Sequence, residues 1–97
     1  MTARKENTTT SNPWFVYILH CADNTLYVGI TTDVTRRVHE HNAAKLGAKY
    51  TRMRRPVALV YQEQVADRST AAKREYELKQ LSRAEKINLI RQSQSDQ

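Results

Sequence analysis

A chain of 97 residues has room for one domain with a small core, which excludes large barrels and two-domain enzymes. No apolar run approaches the roughly 20 residues of a membrane-spanning helix, and the single cysteine, Cys21, excludes an intrachain disulfide and a cysteine-built zinc site. Sixteen Lys and Arg against ten Asp and Glu leave a net charge of +6, which points to an anionic partner.

Residues 1–12 are polar and include the run Thr8-Thr9-Thr10-Ser11-Asn12, so a disordered N-terminal tail is expected. That stretch has no apolar segment of the secretory kind, and a reducing, cytoplasmic location is the expectation. Trp14 to Cys21 is aromatic and β-branched and reads as a buried strand. Leu26 to Thr31 reads as a second strand. Asn tolerates a left-handed backbone, so Asn24 suits the third position of a bulged 22–24 hairpin loop. That loop sets Leu19 against Tyr27 and Tyr17 against Gly29, with both tyrosines on one face of the sheet.

Asp33 or Thr32 caps a helix that runs to about Ala44. Its inward stripe carries Val34 and Val38, but Arg37 and His41 fall in the same arc. Gly47 breaks the helical pattern, and a short irregular or helical piece follows. Across residues 36–55 stand Arg36, Arg37, Lys45, Lys49, Arg52, Arg54 and Arg55, with Glu40 the one acid. The excess charge of the whole chain therefore sits in this window, an electrostatic footprint for a polyanion. The window has no strong amphipathic face, which speaks against a membrane surface.

Pro56 to Gln64 reads as a third strand, with Pro at its start where a missing N–H is tolerated. Ser69 is expected to cap a helix ending near Gln80, with Ala71, Glu75 and Leu78 on one face. Glu75 is then an acid on the packing side. Ser82 and Glu85 form a capping box for a last helix ending near Arg91, with Ile87 and Ile90 as its core contacts. A disordered tail over 92–97 is expected after it. The expected fold is α+β: a three-stranded antiparallel sheet flanked by helices, in the order β-β-α-β-α-α, over residues 13–91.

Five polar residues thus fall on inward or sheet-facing positions: Tyr17, Tyr27, Arg37, His41 and Glu75. Val16-Tyr17-Ile18, followed by Tyr27-Val28-Gly29, resembles the paired tripeptides of the GIY-YIG nuclease superfamily. Arg37 matches that family's catalytic arginine, His41 a histidine of some members, and Glu75 its metal-binding glutamate. The similarity extends to small stand-alone bacterial members, UPF0213-like domains. Val16 stands where the first tripeptide has Gly, and Ile30 where several members have Lys.

The resemblance implies an endonuclease that hydrolyses DNA phosphodiester bonds, structure-selective and linked to repair or recombination, with one Mg²⁺ or Mn²⁺ held by Glu75. One carboxylate is enough for such an ion, because waters and substrate phosphates complete its shell. Arg37 suits a non-bridging phosphoryl oxygen. The resemblance also gives one of the two tyrosines the task of activating the nucleophile, and the sequence leaves open which. His41 is open to two uses, hydrogen bonding within the site or contact with phosphate. Arg36, Lys45, Lys49, Arg52, Arg54 and Arg55 are the expected nucleic-acid contacts, with DNA preferred over RNA. The departures at Val16 and Ile30 sustain an alternative, a nucleic-acid-binding module with little hydrolysis. His39-Glu40-His41 lacks the spacing of a zinc protease motif, and two glycines cannot build a glycine-rich phosphate loop.

Overall fold

The computed structural model describes residues 13–43 and 48–95. The expectations for the 1–12 tail, for Lys45 and Gly47, for the end of the first helix at Ala44 and for residues 96–97 lie outside the described residues. The elements are β1 (Trp14–His20), β2 (Leu26–Thr31), α1 (Val34–Asn42), a single-turn α2 (Lys49–Arg52), β3 (Ala58–Val65), α3 (Arg68–Gln80) and α4 (Arg83–Ser95). Antiparallel pairing in the order β2-β1-β3 gives the expected α+β sheet. Among the described residues no helix is long and apolar enough to cross a membrane.

The hairpin sets the register on which the site depends. Asn24 adopts φ 70°, the left-handed conformation that an Asn accepts at modest cost. The Cys21 N–H donates to Thr25 O at 2.9 Å, and Asn24 N–H donates to Cys21 O at 2.9 Å. Leu19 therefore pairs with Tyr27 and Tyr17 with Gly29, so both tyrosines share a face. β1 ends at His20, one residue short of the expected Cys21.

Two apolar layers cover β1, which explains its unbroken hydrophobic run. Val16 and Ile18 pack with Val28, Ala71 and Leu78 on the side of α3 and α4. Tyr17, Leu19 and Cys21 pack with Val57, Tyr27 and Val38 on the side of α1. Val16 is fully buried in the first of these layers, and Ile30 packs against it, which accounts for apolar residues at both positions.

Several boundaries differ from the expectation. Asp33 is the cap of α1: its carboxylate accepts from Arg36 N–H at 3.1 Å. The cap of α3 is Asp67, whose carboxylate accepts from Thr70 N–H at 2.8 Å, so Ser69 lies inside the helix. β3 starts at Ala58 and reaches Val65, because the stretch before it is held by Asn42 instead of by a neighbouring strand. Ser82 and Glu85 form the expected capping box, with Ser82 N–H to Glu85 Oε1 at 2.8 Å and Glu85 N–H to Ser82 Oγ at 3.1 Å. α4 runs on to Ser95, which takes 92–95 of the expected tail into helix. Its core contacts are Leu89 and Ile90. Ile87 instead lines a groove beside His20 and Leu26.

Gly29 has a steric explanation and no torsional one, since its φ is not positive. The Tyr17 ring crosses from β1 over β2, and a Cβ at position 29 would lie 2.5 Å from its hydroxyl and 2.6 Å from its Cζ. Gly29→Ala is therefore expected to cost about 1–3 kcal/mol, the range for overpacking. Urea unfolding checks this, and the penalty shrinks in a Tyr17→Val background if the ring is the cause.

Candidate active site

Tyr17 stands at one end of a buried hydrogen-bond chain. Its hydroxyl lies 2.8 Å from His41 Nε2. His41 Nδ1 lies 2.8 Å from Thr51 Oγ1, and the Thr51 hydroxyl donates to Ala48 O at 3.0 Å. His41 and Thr51 are fully buried, and Tyr17 is 1% exposed. Residue 41 follows Val34 by two helical turns, so His41 lies on the inward stripe read from the sequence, and the structure brings it to Tyr17.

Tyr27 is half-buried and outside this chain. Its ring centroid is 5.1 Å from that of His41 and 6.4 Å from that of Tyr17. Arg37, also half-buried, donates to Glu40 at 2.9 Å and stands beside the Tyr17 hydroxyl. Glu75 comes from the opposite layer. It sits on α3 between the fully buried Ala71 and Leu78. Its side chain is 25% exposed and pairs with Lys79 at 3.4 Å. The Glu75 charge is felt at Tyr17, where it raises the phenol pKa. Four of the five candidates thus gather on the α1 face, and the fifth acts from the far layer.

A family model described as the GIY-YIG catalytic domain matches residues 13–88. The chain belongs to the GIY-YIG family. It is 59% identical to the UPF0213 protein of Desulfotalea psychrophila over 84% of this chain and 74% of that protein. It is 53% identical to a UPF0213 protein of Syntrophus aciditrophicus over 81% of this chain and 91% of that protein. The solution NMR structure of a UPF0213 protein from Bacillus halodurans is similar, with TM-score 0.52 and 46% identity, covering 80% of this chain and 82% of that one. An E. faecalis protein solved by NMR is similar as well, with TM-score 0.54 and 39% identity, covering 82% and 88%.

In this GIY-YIG domain, Tyr17 of the first tripeptide and His41 of α1 sit in distinct electrostatic settings. Burial, with Tyr27 and Glu75 adding to it, pushes Tyr17 up to about 12 against the pull of Arg37. Burial, aided by the Arg37 and Arg55 cations, lowers His41 to about 4, so it is neutral at ordinary pH. Both of its ring nitrogens are engaged inside the protein. His41 therefore supports Tyr17 from behind, and contact with phosphate is not available to it.

The expected nucleic-acid contacts divide in two. Arg36, Lys49 and Arg52 are exposed. Arg54 is committed to the fold: it donates to Tyr50 O at 2.8 Å, pairs with Asp23 at 2.9 Å and lies 3.9 Å over the Tyr50 ring. Arg55 donates to His41 O at 2.6 Å, which ties the approach to β3 onto the end of α1. A count of charges along the chain cannot see this use, nor that Glu40 lies within 3.7 Å of Arg36 as well as beside Arg37.

Two residues of the site had no signal in the sequence. Thr51 and Asn42 act through loop contacts that obey no helix or strand period. Asn42 accepts from Val57 N–H at 2.8 Å and donates to Val57 O at 3.1 Å, fixing the end of α1 to the lead into β3.

Among the described residues no three His, Cys, Asp or Glu side chains cluster as a metal cage. The single, partly exposed Glu75 carboxylate fits a hard cation such as Mg²⁺ or Mn²⁺, which keeps water and substrate oxygens as its other ligands. It does not fit zinc, which needs three or four protein ligands.

The depressed His41 pKa has a stability consequence. The unfolded chain takes up this proton near pH 6.5, the folded one near pH 4. Stability is full above pH 6.5 and falls as the pH drops, by about 3 kcal/mol at pH 4. Urea unfolding between pH 7 and pH 4 is expected to show this loss, and His41→Gln to reduce it.

Proposed function

We propose that this GIY-YIG domain hydrolyses phosphodiester bonds in DNA with one divalent ion, Mg²⁺ or Mn²⁺, held by Glu75. The observation that supports the reading is the gathering of two phenols and a guanidinium from β1, β2 and α1, with a carboxylate on α3 whose charge reaches Tyr17. None of these elements carries the set alone. When bound, the ion would neutralise charge on the phosphoryl group.

The protein's own groups have separable tasks. Arg37 is a planar guanidinium beside the Tyr17 hydroxyl, and its proposed task is to take a non-bridging phosphate oxygen. Ionising Tyr17 at pH 7 costs about 7 kcal/mol, given a pKa near 12. Tyr17 therefore works as a protonated phenol that orients its neighbours. Tyr27 is half-exposed, so it can release its own proton to solvent, and as the phenolate it suits receiving the proton of the attacking water. The exposed cations Arg36, Lys49 and Arg52 are the proposed contacts for the backbone of the strand.

Labelled duplex, nicked, flap and single-stranded DNA incubated with Mg²⁺ or Mn²⁺ tests the reading. Arg37→Ala and Glu75→Ala are each expected to lower cleavage roughly 100- to 1000-fold, the scale of losing a charge-stabilising group. Equal cleavage by wild type and both variants would refute it. Binding without cleavage, unaffected by Glu75→Ala, would leave only a nucleic-acid-binding module.

With Arg54 and Arg55 tied into the fold, Arg36, Arg37, Lys49 and Arg52 are the phosphate contacts that remain among the described residues. Log K for duplex DNA is then expected to fall with log salt with a slope of about −3.6, and Arg36→Ala to reduce it by about 0.9. Fluorescence anisotropy across a salt series measures both.

A further inference from the structure

We propose that Thr51 sets the direction of the hydrogen-bond chain that ends on Tyr17, and so acts as a positioning residue for that phenol. The proposal rests on the reading of Tyr17 as part of the active site. A threonine hydroxyl has one proton to give. Thr51 gives it to Ala48 O, 3.0 Å away, a bond within its own turn that fixes the rotor. Its oxygen is then only an acceptor toward His41 Nδ1 at 2.8 Å. Nδ1 must carry the ring's proton.

The rest of the chain follows. A neutral imidazole protonated at Nδ1 offers a lone pair at Nε2. The donor at that nitrogen is the Tyr17 hydroxyl, 2.8 Å away. The Tyr17 proton therefore points inward to His41, and the phenol oxygen keeps its lone pairs for the other side. Arg37, a cationic donor, stands on that side, which suits an oxygen that accepts. A doubly protonated ring is disfavoured because His41 is fully buried and its neighbours include the cations Arg37 and Arg55.

Without the Thr51 acceptor, the ring is free to move its proton to Nε2. The bond to Tyr17 then reverses. The phenol becomes the acceptor from His41, and its own proton turns toward Arg37 and the substrate position. No side chain in the site has been lost, yet its central hydroxyl presents the wrong polarity. The effect is chemical and not steric, since valine has nearly the shape of threonine.

The test is NMR of the His41 ring nitrogens in ¹⁵N-labelled full-length protein at pH 7 without DNA, for wild type, Thr51→Ser and Thr51→Val. DNA cleavage is measured on the same proteins. Wild type and Thr51→Ser are expected to show a pyrrole-type Nδ1 and a pyridine-type Nε2. Thr51→Val is expected to shift toward protonated Nε2, with kcat lower by about ten- to a hundredfold, the usual loss on removing an outer orienting partner, and KM little changed. Thr51→Ala gives a second deletion of the acceptor, read in the same way. A wild-type ring protonated at Nε2 would overturn the proposal. So would a Thr51→Val ring that keeps its tautomer, or an altered tautomer with unaltered kcat. The expected tautomers in a protein that cleaves no DNA would uphold the chain's direction and count against the nuclease reading alone.

Discussion

Tyr17 meets two demands at once. Its ring must cross the neighbouring strand, and its hydroxyl must find a partner in a layer that water does not reach. The first demand leaves no room for a Cβ at Gly29. The second is met by His41, which belongs to a different element and must be held in place. Much of the local architecture serves that hold. Asp33 starts α1 at the right residue, Asn42 clasps Val57, and Arg55 reaches back to His41 O. A buried polar chain is stabilising only when each member is satisfied, so an error at one end is felt at the other.

The site also shows how a thin sheet joins two layers. β1 is covered on both faces, and the phenol and the carboxylate stand on opposite sides of it. They influence each other because the Tyr17 side chain crosses β2, the edge strand, and α3 packs over the same two strands. A wider sheet, or a large side chain at position 29, would separate them. Membership of the GIY-YIG family is consistent with this economy, since a short chain reaches both layers through one hairpin and two helices.

Much of this was legible in the sequence, for identifiable reasons. The register followed from Asn24, since the shift of one residue that a different loop would cause flips every side chain. Arg37 and His41 stood out because polar residues lay on an apolar helical stripe. Glu75 stood out by the same logic between Ala71 and Leu78. What escaped lies where periodicity has no grip. Thr51 and Asn42 act across loops. Asp67 and Ser69 are both good caps, and the structure chooses the one whose carboxylate reaches Thr70 N–H. Arg54 and Arg55 were counted as surface charge, although backbone oxygens and an aromatic face engage them in the fold. The Gln and Ser residues after Arg91 are polar enough for a tail and equally compatible with the last turns of a helix.

The ion pair between Glu75 and Lys79 carries one more implication. The lysine is 53% exposed and belongs to the same helix, one turn on. It quenches the carboxylate from the solvent side without sealing it. The Glu75 charge is therefore already balanced within the fold by a neighbour on its own helix. Any ion that Glu75 accepted would displace an exposed lysine, an exchange of counter-charges on one helix face.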